Sequence, residues 1–151
     1  INGDCREVLD YDNCVFKLDT NILERKPATR DLGVIIDHRL TFSDHSRNYT
    51  KRANQRANLI CRCFQSNDSG SLLKAYTSYV RPLLEYNSQI WSPITVNDIF
   101  KIEQVQKKFT KRLFGLPNYT YFQRLKILKL ESLELRRLRS DLTMLFKIIF
   151  G

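Results

Sequence analysis

The sequence predicts an α+β fold, mainly α: a short N-terminal antiparallel β-hairpin or three-strand element, followed by a five-helix bundle. Three observations carry this. Strand and turn chemistry runs from Cys14 to Ile36, and at Ser43 the apolar period becomes helical and stays so to the end. With 42% hydrophobic and 27% charged residues, a chain of 151 is globular and long enough for one real core. The predicted boundary separates a small β element, residues 1–42, from a helical domain, residues 43–151.

Ile1 to Asp12 is polar without a period and is expected to be irregular. Asp10 and Asp12 read as a solvated turn rather than as metal ligands. Cys14 to Leu18 reads as a strand, Asp19-Thr20-Asn21 as a turn, and Ile22 to Arg25 as the returning strand. After Pro27, the β-branched run Asp31 to Ile36 is expected to be a third strand, with Gly33 marking a bulge or a close backbone approach. Three strands need a cover, so one face is expected on the helices.

Ser43 is expected to cap a first helix to about Phe64, with Tyr49, Ala53, Ala57, Ile60 and Phe64 inward and Arg47, Lys51, Arg52, Arg56 and Arg62 elsewhere. Ser71 to Trp91 is apolar almost all round and is expected to be the central helix, broken near Tyr79–Arg81 by Pro82. Its aromatics read as core rather than as stacking platforms for bases.

Asp98 to Gly115 gives the cleanest helix. Ile99, Ile102, Val105, Phe109 and Leu113 form one stripe, Lys107, Lys108, Lys111 and Arg112 lie away from it, and Thr95 stands at the N-cap. A short helix from Tyr119 to Leu128 follows, with Tyr121, Leu125 and Leu128 inward. The last helix, Leu133 to Phe150, carries Leu135, Leu138, Leu142, Leu145 and Ile149 on one stripe. Met144, Ile148 and Phe150 widen its apolar surface, so this helix is expected either to be sandwiched or to pack against further chain.

Charge is unevenly placed. Net charge is +9, yet residues 1–40 hold 8 acidic and 6 basic side chains while residues 41–151 hold 8 and 19. The second part therefore suits a polyanion, with nucleic acid ahead of an acidic membrane. Four cysteines make no disulfide framework here, Cys61-x-Cys63 lacks a zinc-knuckle gap, and all are expected to be reduced core residues. With no 18-residue apolar run and no basic-then-apolar leader, the expectation is an intracellular protein, nuclear or cytoplasmic, without membrane attachment. A start at Ile rather than Met predicts a fragment. Phosphate-loop, dinucleotide, zinc-protease and nucleophile-elbow motifs are absent, and two histidines are few for an acid/base centre.

Three ordered blocks carry a resemblance. The first is Arg30-Asp-Leu-Gly-Val-Ile-Ile-Asp37, Leu40-Thr-Phe-Ser-Asp-His45 and Lys51-Arg-Ala-Asn54. The second is Tyr79-Val-Arg-Pro-Leu-Leu-Glu-Tyr86, Ile90-Trp-Ser-Pro93 and Asp98 to Arg112. Arg124-Leu, Leu130-Glu-Ser-Leu-Glu-Leu-Arg-Arg137 and Asp141-Leu form the third. Taken in this order, residues 14–151 resemble the reverse transcriptase of LINE-type, jockey-like non-LTR retrotransposons, in the part that follows the catalytic aspartates.

The resemblance implies the end of a polymerase palm over residues 1–42 and a thumb-like bundle over 43–151. It implies an RNA template and an RNA/DNA or DNA duplex as partners, with the fingers and palm of the same polymerase upstream. Lys51, Arg52, Arg56, Lys107, Lys108, Lys111 and Arg112 are the expected phosphate contacts, which grip a duplex without reading its sequence. Leu32, Gly33 and Val34 are the weaker expectation for primer contact. No cofactor is expected in this segment; the parent polymerase would use two Mg²⁺ held by upstream carboxylates, so the segment alone is expected to be non-catalytic. The alternative is a decayed retrotransposon remnant acting as a structural or protein-interaction domain.

Overall fold

The computed structural model describes residues 17–18, 20–22, 24, 26–64 and 68–151. Expectations for residues 1–16, Asp10, Asp12, Cys5 and Cys14 among them, and for residues 19, 23, 25 and 65–67 lie outside the described residues. The fold is α+β, mainly α, with the strands first.

Strands β1 (Lys17–Leu18) and β2 (Asn21–Ile22) pair antiparallel, Lys17 opposite Ile22. The run expected to be a third strand is a second hairpin, β3 (Ala28–Asp31) with β4 (Val34–Asp37), Asp31 opposite Val34. Its two-residue turn has Leu32 at φ 43° and Gly33 at φ 88°. Positive φ at both central positions gives the turn whose twist matches paired strands, and glycine meets that demand without strain. Among the described residues the result is two two-stranded sheets instead of one three-stranded sheet.

The second hairpin is fastened to helix α1 (Ser43–Cys63). Val34 is buried in the core, Tyr49 donates its hydroxyl to the Gly33 carbonyl at 2.6 Å, and the Ile35 N–H donates to His45 Nδ1 at 3.1 Å. Ser43 does not cap α1. It is the first helical residue, preceded by Phe42 in the left-handed region. The entry is fixed from outside the helix, because the Asp37 carboxylate accepts the N–H groups of Arg39, Thr41 and Phe42 and the Thr41 hydroxyl. These bonds, the Thr41 N–H first among them, outweigh desolvation and hold Asp37 below the usual carboxylate range.

The expected central helix is three pieces: α2 (Ser69–Tyr79), α3 (Arg81–Glu85) and α4 (Ser88–Trp91). Pro82 separates the first two, as its missing N–H requires, and Asn87 in the left-handed region separates the last two. Tyr76 and Trp91 are core, with Tyr76 stacked on Phe109 at 4.5 Å; Tyr79 and Tyr86 are exposed. Cys61 is half-buried against the core, whereas Cys63 is exposed, so the expectation of core cysteines fails there because Cys63 has passed beyond the buried face of α1.

Helix α5 (Val96–Lys111) starts as expected, with Thr95 accepting the Asp98 N–H, and buries Ile102, Val105 and Phe109. Buried Gln106 ties it to its neighbours, donating to the Glu131 carbonyl at 2.9 Å and to the Tyr121 hydroxyl at 3.1 Å. Helix α6 (Tyr121–Leu128) begins with a capping box between Thr120 and Gln123. Helix α7 (Leu133–Phe150) begins on Glu103, whose carboxylate accepts the N–H groups of Leu133 and Glu134 and the Tyr121 hydroxyl. The inward face of α7 is Leu133 and Arg137. The leucine stripe read from the sequence is exposed.

Candidate nucleic-acid interface

Helices α1 and α5 lie side by side and run parallel. Near their starts Ser43 Oγ donates to Asp98 Oδ2 at 3.0 Å, across 55 residues of sequence, and near their ends Arg112 Nη1 donates to Asn58 Oδ1, across 54. The nearly constant offset keeps the helices level along their whole contact.

Beside that seam stand most of the predicted cations. On α5, Lys107, Lys108 and Lys111 are exposed opposite the buried Ile102, Val105 and Phe109, and exposed Arg112 follows the last turn and reaches α1. On α1, Lys51 stands two turns before Asn58 in the row that borders α5. Arg52 and Arg56 do not join it. At about 100° per residue they lie roughly 100° and 140° from Lys51, on the other flank. There Arg52 covers the Tyr49 ring, 5.2 Å to its centroid, and Arg56 Nη1 donates to the Tyr79 carbonyl at 3.2 Å. Two residues that the sequence reading set aside do join the row, exposed Arg47 and Arg62; their spacing of 4, 7 and 4 through Lys51 and Asn58 is the signal that could have found them.

A cleft of about 430 Å³ opens between α5 and the segment entering α6, lined by Lys107, Lys108, Lys111, Tyr119 and Tyr121. Arg124 closes it from below. Its guanidinium is buried and committed to the Tyr119 carbonyl at 2.6 Å, the Thr110 hydroxyl at 3.2 Å and the Lys107 carbonyl at 3.3 Å. It therefore shapes the cleft without being free to bind.

The cations divide by partner. Arg81, Arg136 and Arg139, on the α3–α7 side, are paired with Glu85 or Glu131. Among the described residues, Lys51, Lys107, Lys108, Lys111 and Arg112 have no carboxylate within 4.0 Å. Five unpaired cations thus stand together on the α1–α5 side, where a polyanion would meet them, while Arg47 and Lys101 on the same helices are paired with Asp44 and Asp98. Of the primer-contact expectations, Leu32 is presented at the hairpin tip, 80% exposed. Gly33 is half-buried with its carbonyl taken by Tyr49, and the Val34 side chain belongs to the core.

Among the described residues no three His, Cys, Asp or Glu side chains gather so as to hold a metal ion. No helix of the described residues is long and apolar enough to cross a membrane.

The architecture is that of a mainly helical α+β protein with a group of unpaired cations along the α1–α5 seam. Two relatives give this a context. An uncharacterized protein of Caenorhabditis elegans is 26% identical over 124 residues, 80% of this chain and 63% of the worm protein. A Drosophila melanogaster protein named a probable RNA-directed DNA polymerase from transposon BS is 28% identical over 107 residues, 68% of this chain and 12% of the fly protein. The chain thus matches less than two thirds of the length of either. No family model and no solved structure matches it. The chain is distantly similar to part of a transposon RNA-directed DNA polymerase.

Proposed function

We propose that this chain is the template–primer-binding piece of a non-LTR retrotransposon RNA-directed DNA polymerase, and that it grips an RNA/DNA duplex by its backbone. The observation that carries the reading is the unpaired cation row along the parallel α1–α5 seam: Lys51, Lys107, Lys108, Lys111 and Arg112, with Arg62 extending it and Arg47, paired with Asp44, at its other end. Cations on two level, rigid helices suit phosphates at fixed spacing, and they leave base edges unread, as copying any template demands. The fly relative and the ordered motif blocks support the polymerase context. Catalysis belongs to carboxylates elsewhere in such a polymerase, and this piece supplies grip.

The test is titration of an RNA–DNA hybrid duplex at two salt concentrations. With six phosphates neutralised, affinity should fall by roughly 10³-fold between about 50 and 200 mM salt. Lys107→Ala/Lys108→Ala/Lys111→Ala should weaken binding and flatten that slope, whereas Arg52→Ala should change it little. A folded protein that fails to bind at low salt sinks the reading and favours a protein-interaction remnant, to which the uncovered face of α7 would then belong.

A further inference from the structure

The apolar stripe of α7 is the feature that the described packing leaves unused. Leu135, Leu138, Leu142, Leu145 and Ile149 are 45–60% exposed, and over the last two turns Phe146 and Ile148 are exposed as well. At about 100° per residue the centre of the stripe lies roughly 140° from Leu133 and Arg137, the residues that hold α7 to the bundle.

The geometry points to a partner for this stripe: the same stripe on a second copy of the chain, the two α7 helices lying parallel and in register. Spacing is the first argument. Steps of 3, 4, 3 and 4 residues make the narrow seam that one helix offers another in a coiled coil, with Leu135, Leu142 and Ile149 at one seam position and Leu138 and Leu145 at the other.

Charge selects the alignment. Glu134 and Arg139 then fall at the two positions flanking the seam, and a parallel pair sets each Glu134 beside Arg139 of the second copy, twice by symmetry. An antiparallel pair sets like flanks together. Glu131 also bonds Arg139 at 2.6 Å within the chain, so its guanidinium is already held near that place. Phe146 follows Arg139 on its flank one heptad later; on the other flank Asp141 and then Ile148 follow Glu134 one and two heptads later, so the last turns extend the seam with apolar surface.

Area and clearance agree. Covering seven such side chains on each copy removes on the order of 1,200 Å², the lower end of specific interfaces. Because the stripe faces away from the bundle, two copies joined along it carry their bundles on opposite sides and do not collide.

The test is sedimentation of the full chain from about 1 to about 100 µM, the range in which an interface this small is expected to associate. Mass should rise from 17.9 kDa towards twice that value. Leu142→Glu/Leu145→Glu should remain monomeric throughout with unchanged helical circular dichroism, since both positions are already exposed. Leu135→Cys, oxidised, should give a covalent dimer well above the wild-type background, because only a parallel pair in register brings the two copies of that position together. A wild-type chain that stays at 17.9 kDa overturns the inference, as does a dimer that survives the double substitution. A monomer that floats with anionic vesicles, and loses this with the double substitution, assigns the stripe to lipid instead. A dimer without the Leu135→Cys cross-link overturns the parallel register.

Discussion

Helices α5 and α7 carry equally regular apolar stripes and end in opposite surroundings. Ile102, Val105 and Phe109 of α5 are each 1% exposed, whereas Leu138, Leu142 and Leu145 of α7 are each more than half exposed. A stripe reports that a helix face is built to be covered; it does not report by what. On α5 the cover is α1, with Tyr76 of α2 stacked on Phe109 and α6 and α7 packed alongside. On α7 the bundle takes the other face, anchored by Leu133 and by the carboxylate of Glu103, and leaves the stripe free.

Truncation breaks or confirms that contrast most sharply. Phe109→Ala removes a buried ring stacked on Tyr76 and should cost about 3–5 kcal/mol in denaturant unfolding. Leu145→Ala, measured on dilute monomer, should stay within about 0.5 kcal/mol. Equal losses would mean that α7 is packed after all.

A proton offers a second probe of the filled side. His45 is buried between Tyr49 and Trp91, and burial, reinforced by the Arg30 charge, pushes its pKa down to about 4. The fold holds it neutral, so its contribution is fully present above the unfolded pKa of 6.5 and is lost as pH falls from there towards about 4. The loss should be on the order of 3 kcal/mol, read as a falling denaturant midpoint, and His45→Gln should give a flatter profile over that window.

Two smaller effects separate the helix starts. Glu103→Gln weakens the charge-assisted bonds at the start of α7 and should cost about 1–2 kcal/mol, with faster amide exchange at Leu133 and Glu134. Thr95→Ala removes the α5 cap and should cost about 1 kcal/mol, read from the thermal midpoint. If the Thr95 change proved the larger, the start of α7 would not depend on Glu103 as its hydrogen bonds indicate.

These positions show how far the sequence could be read. Thr95, the α5 stripe and the Pro82 break are local signals, and each sits where its pattern put it. The β3–β4 hairpin was missed because its turn is Leu-Gly, and Leu32 lacks the side-chain chemistry of the Asn or Asp that usually announces positive φ. Ser43 looked like a cap because the real stop, Asp37, lies six residues earlier and acts through the folded backbone. The buried partners Gln106 and Tyr121 meet only in three dimensions. The interface was half legible: lysine and arginine positions on each helix were plain, but Lys51 parted from Arg52 and Arg56 only once α5 took its place beside α1.

The fastening of the second hairpin has a mechanical side. Gly33, Ile35 and Asp37 are tied to Tyr49, His45 and the residues that open α1, and Leu32 is tied to Tyr86, so tip and helix root form one joint. From that joint α1 extends for 21 residues, about 30 Å. A load at the hairpin reaches α5 as well, because Ser43 and Asn58 bond α1 to Asp98 and Arg112 near its two ends. Whatever presses on Leu32 is therefore shared by both helices that carry the basic row.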